Sequence, residues 1–449
     1  MSKDAFDVII IGGGTAGVVA AIQSARAGAS TLLVEKTGML GGTVTTGGVP
    51  NPGLFHAWHR QIIAGIGWEL VLRTLAETGQ APPVPLCDPR RHSLDHVHVD
   101  RFLFAAICDE AVVESGAGLL LHTMVAAVAP AGAGWTVTLC TKTGLTTRTA
   151  SVLIDCTGDA NAVALAGLPL EVPEETQPAT LSCHAGGYDV SALDTAALNE
   201  AMENAVQRGE LQYTDSSWNT AQANVSKWLA SGGENASHVH HINARDSEGK
   251  TKLELEARRA LLRLYRFLRQ QPGLECLRLE HMAPECGVRE TVTIRGKKRI
   301  TVGDYTSGRL WDDAVCYSYY PLDLHVSSGQ GLDGEPLPEG VVPTIPRGAM
   351  LPEGSRNLLV AGRCLSSDRL ANSALRVQAT SMATGQAAGA MAALTTRTGT
   401  EVEALPMEAI HSLLAEHAAV IPPHTAVTPP HTAVTPPHTA VTPPHTLSS

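Results

Sequence analysis

The stretch "VIIIGGGTAGVVAAI", residues 8–22, decides the fold. Val8 to Ile11 is a short β-branched run of the kind buried on both faces of a parallel sheet, and Ala16 to Ala27 carries helix formers without proline. Between them Gly12, Gly14 and Gly17 stand in G-x-G-x-x-G spacing. The first glycine allows a tight turn, the second lets a pyrophosphate approach the backbone, and the third lets the helix pack closely on the strand. The amides of the first helical turn, with the positive end of the helix dipole, then face the phosphates. After Gly28, "STLLVEK" is a second buried strand ending on Glu35. A carboxylate roughly 20 residues past the glycines is placed to accept hydrogen bonds from a ribose. The spacing alone is a weak signal; strand, turn, helix, strand and acid in order predict a dinucleotide site.

A chain of 449 residues suggests two or three domains and a large core. It is 44% apolar and only 4% aromatic, as a close-packed α/β protein would be. The net charge of −11 and pI near 5.9 argue against nucleic acid and against an anionic membrane surface as partners. No apolar run reaches membrane-spanning length, and "MSKDAFDV" has no secretory pattern, so a cytoplasmic protein is expected. Nine cysteines without a C-x-x-C pair fit reduced thiols better than disulfides or zinc.

Past Glu35, "GMLGGTVTTGGVPNPG" is a loop whose Gly41, Gly42, Gly47 and Gly48 would let backbone lie against a flat ligand. "FHAWHRQIIAGIGWELVLRTLAETG" has helical periodicity, and "QAPPVPLCDPRRHS" reads as a surface loop. Asp100 is placed to cap the helix "RFLFAAICDEAVVESG", which Gly116 ends. "GLLLHTMVAAVAP" and "GWTVTLCTKTGLTTRTASVLIDCTGD" read as strands, with a turn at "KTGL". The second stretch runs into Thr157, Gly158 and Asp159, another strand end at the ligand crevice of a parallel sheet. Residues 190 to 270 are polar and mostly helical in pattern, and "GVRETVTIRGKKRITVG" alternates as strands do, with a basic turn.

"LLVAGRCLSSD" returns to a buried strand, followed by the small-residue helix "SALRVQATSMATGQAAGAMAAL". A strand–glycine–helix pattern so late implies a discontinuous first domain. The expected organisation is a dinucleotide-binding domain in two parts, 1–168 and 341–400, an inserted substrate or cap domain over 169–340, and a C-terminal helix and tail over 401–449. From Pro422 the tail repeats "PPHTAVT", a low-complexity pattern that predicts disorder.

Assembled in order, "DVIIIGGGTAGVVAAI", "LLVEKTGMLGGTVTTGG", "NPGLFHAWHRQIIAGIGWEL", "VLIDCTGDANAVALAG", "QPATLSCHAGGYDV", "VRETVTIRGKKRITVGDY" and "NLLVAGRCLSSDRLANSALRVQATSMATGQAAG" resemble the FAD-dependent oxidoreductase family of the two-dinucleotide-binding-domain flavoproteins. The resemblance covers nearly all of residues 5–397. It departs at "CGVRETVTIRGKKR", where such proteins often have a Gly- and Arg-rich segment, on the substrate side. It implies an α/β fold, a Rossmann-like FAD-binding domain with an inserted α+β cap domain, and FAD as cofactor. Gly12, Gly14, Thr15, Ala16 and Gly17 would meet the pyrophosphate, Glu35 with Lys36 beside it the adenosine ribose, and Val125 would lie near the adenine. Gly41, Gly42 and Thr43 would face the ribityl or ring side, Gly158 and Asp159 would close the site, and Gly362 and Arg363 would lie at the pyrophosphate. The helix start at Val377 and Gln378 would point at the flavin pyrimidine edge, where its dipole stabilises the negative charge of reduced flavin.

No second strand–G-x-G-x-x-G–helix unit is read, and no paired-cysteine motif serves disulfide reduction. The expected reaction is therefore oxidation of a small organic substrate by hydride transfer to flavin N5, with an unidentified acceptor. Alternatives are a reductase or monooxygenase using free NAD(P)H, and a flavoprotein subunit passing electrons to a partner. A homo-oligomer is also compatible. Hydride abstraction calls for a base and for groups that hold the substrate. His56, after the glycine-rich loop, is the first candidate, and His59 lies on the same expected helical face. His325 in "PLDLHV" and the arginines Arg289 and Arg376 fall on the family's pattern. The arginines suit a carboxylate clamp or reduced flavin, or a structural ion pair such as Arg289 with Glu290. Cys364 reads as a buried thiol, with a covalent flavin link as the alternative. "HVHV" at 96–99 and "HVHH" at 238–241 read as surface histidines, and no metal site is expected.

Overall fold

In the computed structural model, residues 4–83, 96–326 and 332–423 are described. The "QAPPVPLCDPRRHS" loop lies mostly outside them, as does the histidine repeat of the tail.

The main sheet has seven strands, numbered here β1 (Ala5–Ile11), β2 (Thr31–Val34), β3 (Gly118–Leu120), β4 (Met124–Ala131), β5 (Gly134–Thr141), β6 (Gly144–Asp155) and β7 (Leu358–Val360). Their order is β3-β2-β1-β6-β5-β4. The pairs β3–β2, β2–β1 and β1–β6 are parallel, and β4, β5 and the start of β6 form an antiparallel meander. β6 is long enough to serve two partners on one edge. Its first half pairs with β5, and its last three residues pair in parallel with β7, Val360 opposite Asp155. The chain thus returns to its first sheet about 200 residues later, at the "LLV" read as a late buried strand. Ile9, Ile10, Leu33, Leu153, Ile154 and Leu359 are fully buried, which is why these strands are continuous apolar runs rather than alternating ones.

The helix Thr15–Arg26 follows β1, and the 21-residue helix Gln378–Thr398 packs along it. Their contact is made by small residues at one-turn spacing. A Cβ on Gly385 would lie 2.2 Å from the Ala16 carbonyl oxygen, and one on Gly389 would lie 2.5 Å from that of Ala20. Ser24 Oγ donates to the Gly389 carbonyl at 3.2 Å. Gly385→Val should therefore force the helices apart, at about 1–3 kcal/mol for an overpacked contact. Thermal unfolding checks this: the melting midpoint should fall by several degrees, and an unchanged midpoint would contradict the packing.

Between β6 and β7, the helices Thr195–Gln207, Val225–Ser231 and Ser247–Leu268 enclose a second core around Met202, Trp228, Leu264 and Leu268. The antiparallel pair Cys183–Gly186 and Arg278–Met282 borders it.

Two expectations of secondary structure are corrected. The helix read from residue 55 begins only at Ile66 and ends at Glu77. Before it, His56–Ala57 and Arg60–Gln61 form a hairpin whose turn residues, Trp58 and His59, have positive φ. Trp58 sets this turn by donating Nε1 to the Val341 carbonyl at 2.8 Å and packing edge-on against Tyr319. Buried Phe55, Ala57, Ile62 and Ile63 mimic a helical period although a hairpin buries them. Second, within residues 287–303 the strand is limited to Thr293–Ile294, paired with Leu170–Glu171, and Val302 already begins the short helix Val302–Thr306. Their basic side chains reach acids on separate elements, Arg295 to Glu171, Lys297 to Glu403 and Lys298 to Asp312 and Asp313. The segment is stretched between these anchors as irregular backbone.

Other expectations match. Asp100 caps the helix Arg101–Glu114, accepting from the amides of Phe102 and Leu103, and Gly116 follows with φ +85°.

Candidate active site

The parallel register brings Ile11, Val34, Asp155 and Val360 to one edge of the sheet. The glycine-rich turn rises from that edge, and its three glycines have different neighbours. Gly12 has φ +100°, and a Cβ there would lie 2.5 Å from the Cys156 carbonyl oxygen. A Cβ on Gly17 would lie 1.8 Å from the Gly12 carbonyl oxygen, so it is the close-packing glycine. At Gly14 the nearest atom would be Gly42 Cα, 3.9 Å away. Gly14 caps the helix without a side-chain hydrogen bond. Space beside Gly14, at a helix N-terminus, suits a pyrophosphate and is not needed for packing.

Gly41, at φ +98°, donates its amide to the Gly13 carbonyl at 2.9 Å, and a Cβ on Gly42 would collide with Gly14 Cα at 2.8 Å. Backbone from the second glycine loop therefore lies directly against the first, while Thr43 is exposed at the rim. Glu35 is buried, and its oxygens accept from the amides of Gly13 at 2.6 Å and Thr37 at 2.7 Å. Both oxygens retain lone pairs for a further donor. Lys36 turns away from Glu35's partners to Glu285, at 3.3 Å. The segment to Val125 runs beside Glu35, whose amide donates to Leu120 and whose carbonyl accepts from Thr123.

The ends of β6 and β7 are tied together. Arg363 Nε donates to the Gly158 carbonyl at 2.8 Å, its Nη2 meets Asp159 Oδ1 at 2.6 Å, and its Nη1 reaches the Val288 carbonyl. Gly158 has φ +77°. Gly362, at φ +89°, lies over Ala16, and its amide donates to Thr384 Oγ1 at 3.1 Å. Beneath this edge, buried Asp155 accepts from Thr157 and from the amides of Ala162 and Val163; burial still raises its carboxyl above the usual range. Cys364 is buried, and burial likewise pushes its thiol up, which makes it a poor nucleophile.

At the other end of the crevice, the helix Gln378–Thr398 starts at Val377 without a side-chain cap. The loop Val49–Gly53 lies on this start: Gln378 Nε2 donates to the Val49 carbonyl at 3.1 Å, and a Cβ on Gly53 would be 3.7 Å from Val377 Cβ. The side-chain oxygen of buried Gln378 has no partner among the described residues.

One residue before that start, Arg376 opens a polar cluster. Its Nη2 bonds to Asp323 Oδ2 and to the Asp323 carbonyl, each at 3.1 Å, and to Gln177 Oε1 at 3.3 Å. Asp323 Oδ1 meets His325 Nε2 at 3.2 Å. Burial favours the neutral acid, but His325, Arg376 and Arg289 together hold the Asp323 carboxyl well below the usual range. His325 titrates below the ordinary histidine range because burial outweighs its bond to Asp323. The rings of His238 and Trp218 pack against His325 at 4.9 and 5.3 Å between centroids. Arg289 contacts only neutral oxygens: Pro178 O and Thr180 Oγ1 at 2.9 Å, and Asn235 Oδ1 at 3.1 Å. Burial first and Arg376 second lower its guanidinium to about 10.

Of the candidate catalytic residues, the structure brings His325, Arg289 and Arg376 together. The expected Arg289–Glu290 pair is not formed: Glu290 points the other way, to Arg369 and the Gln177 amide. Successive residues of an extended segment face opposite sides, which separates the two. His56 stands on the hairpin and packs edge-on against Trp68, and His59 is exposed in the turn, so they share no helical face. "HVHH" is also corrected, because His238 is buried and His240 half-buried. Val239, between them, pairs with Ala179, and the alternation turns both imidazoles to one side. Sequence reading missed Asp323, Gln177, Trp218 and His238; the spacing D-x-H in "PLDLHV" was the one local signal. Among the described residues, no group of three His, Cys, Asp or Glu is arranged to hold a metal ion.

Residues 7–414 match the FAD dependent oxidoreductase family. The chain belongs to that family. Curated relatives match over short stretches. Dihydrolipoyl dehydrogenase of Trypanosoma brucei brucei is 49% identical over 55 residues, 12% of this chain and 12% of that enzyme. Cinnamate reductase of Clostridium sporogenes is 38% identical over 73 residues, 15% of this chain and 11% of that enzyme. The chain therefore spans about an eighth of the length of the curated relatives it matches. Among solved structures, a geranylgeranyl bacteriochlorophyll reductase-like protein of Thermoplasma acidophilum covers 92% of this chain and 84% of its own at 12% identity, with TM-score 0.40. BexE covers 92% and 66% at 13% identity, with TM-score 0.43. The family match fits the Rossmann-like α/β arrangement of the main sheet, and no described helix is long and apolar enough to cross a membrane.

Proposed function

We propose that this FAD-dependent oxidoreductase oxidises a small organic substrate held by Arg376, Arg289 and His325 at the start of the helix Gln378–Thr398. The carrying observation is the chain Arg376–Asp323–His325, which begins one residue before that helix start. FAD, when bound, would supply the two-electron acceptor for the hydride that the substrate loses, with an acceptor of unassigned identity for its own reoxidation. Gly12, Gly14, Thr15, Ala16 and Gly17 would hold its pyrophosphate, with Gly41, Gly42 and Thr43 opposite. Glu35 receives the ribose, and the neighbouring Lys36 keeps Glu285 on the cap side. Val125 would border the adenine, Gly158, Asp159, Gly362 and Arg363 would close the crevice, and Val377 with Gln378 would meet the ring end. The openness beside Gly14 and the unpartnered Gln378 oxygen support this placement.

His325 is the base in this reading. Asp323 fixes its orientation and stabilises the proton it gains, and Arg376 keeps Asp323 ionised. His56, packed edge-on against Trp68 at the hairpin, remains a candidate. A base must be neutral to act, and His325 titrates below 6.5. The rate of flavin reduction should therefore stay flat as pH falls from 8 to about 6.5, and decline only below that. A decline centred above pH 7 would contradict His325 as the base.

Anaerobic rapid mixing tests the direction of electron flow. NADPH alone should bleach the flavin slowly, because the later G-x-G-x-x-G, residues 329–334, leads into the strand Leu332–Glu335 and not into a helix that could receive a second pyrophosphate. Rapid, saturable bleaching by NADPH would overturn the proposal in favour of a reductase.

A further inference from the structure

We propose that the substrate is a carboxylate, bound by the guanidinium of Arg289 against a wall formed by His238, His325 and Trp218. This rests on the reading above and names the substrate class of the same site.

Arg289 and Arg376 face the same cluster, and Asp323 is the carboxylate they share. Its second oxygen is committed to His325. Glu290 binds Arg369 and the Gln177 amide, and Glu175, which faces His240, also reaches Arg369, at 3.8 Å. His238, His240 and His325 are all held neutral, His240 down to about 4, by burial first. Arg289 and Arg376 thus outnumber by one charge Asp323, the carboxylate between them. Arg289 uses three of its five donors, all on neutral oxygens. A guanidinium in a low-dielectric site without its own carboxylate favours an anionic ligand, and its planar fork matches a carboxylate.

A second observation points into the same place. His238 is 4% exposed, yet its Nε2 has no partner among the described residues; neither do Gln177 Nε2, Arg376 Nε and both ring nitrogens of His240. Buried polar groups are nearly always hydrogen-bonded, so orphans gathered around one cluster mark where a ligand supplies the partners. His238 stacks parallel to Trp218, 5.8 Å between centroids at 8°, and meets His325 edge-on. The stack offers a flat wall to the body of the ligand, and Arg289 holds its charged end.

Acetate and benzoate, with acetamide and benzamide as uncharged counterparts, test this on the FAD-loaded protein by titration calorimetry, with flavin content measured on the same samples. At least one carboxylate should bind more than about tenfold tighter than its amide. Arg289→Gln should lose that preference. Asn235→Asp is the second variant, because Asn235 already contacts Arg289 from a left-handed position that aspartate tolerates. It would place a carboxylate on Arg289 from within and should weaken carboxylate binding at least about tenfold without unfolding the protein. Equal binding of acids and amides, or unchanged carboxylate affinity in Asn235→Asp, would overturn the proposal. Because calorimetry reads binding and the flavin assay reads cofactor, failure of the carboxylate proposal and failure of the FAD placement remain distinguishable.

Discussion

Gly14→Glu should give a folded protein that no longer retains FAD. The three glycines of the turn make the experiment selective. A Cβ on Gly14 meets nothing nearer than Gly42 Cα at 3.9 Å, so the new side chain leaves by the open side. That side is where the helix N-terminus would receive the pyrophosphate, and a glutamate carboxylate there mimics and repels it. An uncompensated charge at such a site costs about 3–5 kcal/mol, a loss of roughly two to nearly four orders of magnitude in affinity. Gly17→Ala is the contrast. Its Cβ would lie 1.8 Å from the Gly12 carbonyl oxygen, so it should damage the fold itself. Flavin content and melting midpoint, measured on both variants, separate the two roles. A Gly14→Glu protein that still purified with one FAD per chain would place the cofactor elsewhere.

His325→Ala should slow flavin reduction by about 10²–10⁴-fold while leaving flavin content unchanged, the usual range for a lost general base. Asp323→Asn should follow the same direction. It removes the charge that stabilises the protonated imidazole and leaves Arg376 without its ion pair. His56→Ala, in contrast, loosens a ring packed on Trp68 and should have a smaller effect. Reduction kinetics under anaerobic conditions measure all three. If His56→Ala is slow and His325→Ala is not, the base belongs to the hairpin.

How far the sequence reveals this protein depends on the range of the interactions. The glycine turn, the strands around it and the Asp100 cap are local: each is set by residues within a few positions, and each is found where the spacing puts it. Val8 to Ile11 needs no partner to be identified as a buried strand. The hairpin at His56 is different, because Trp58 fixes it through Val341 and Tyr319, more than 250 residues away. Likewise the basic run at 295–298 is shaped by acids at 171, 312, 313 and 403. His238 is the clearest case. Its burial follows from pairing of Val239 with Ala179 and from stacking on Trp218, neither of which leaves a trace in "HVHH". The glycine turn was legible because neighbouring residues build it; the polar cluster was not, because segments near 177, 238, 289, 323 and 376 assemble it.

The most direct test of the account is the flavin content of the purified chain before and after denaturation. The structure predicts one FAD per chain, released into solution when the protein is denatured, since the Cys364 thiol is buried and held protonated. A protein that purifies without flavin and cannot be reconstituted with FAD would contradict it.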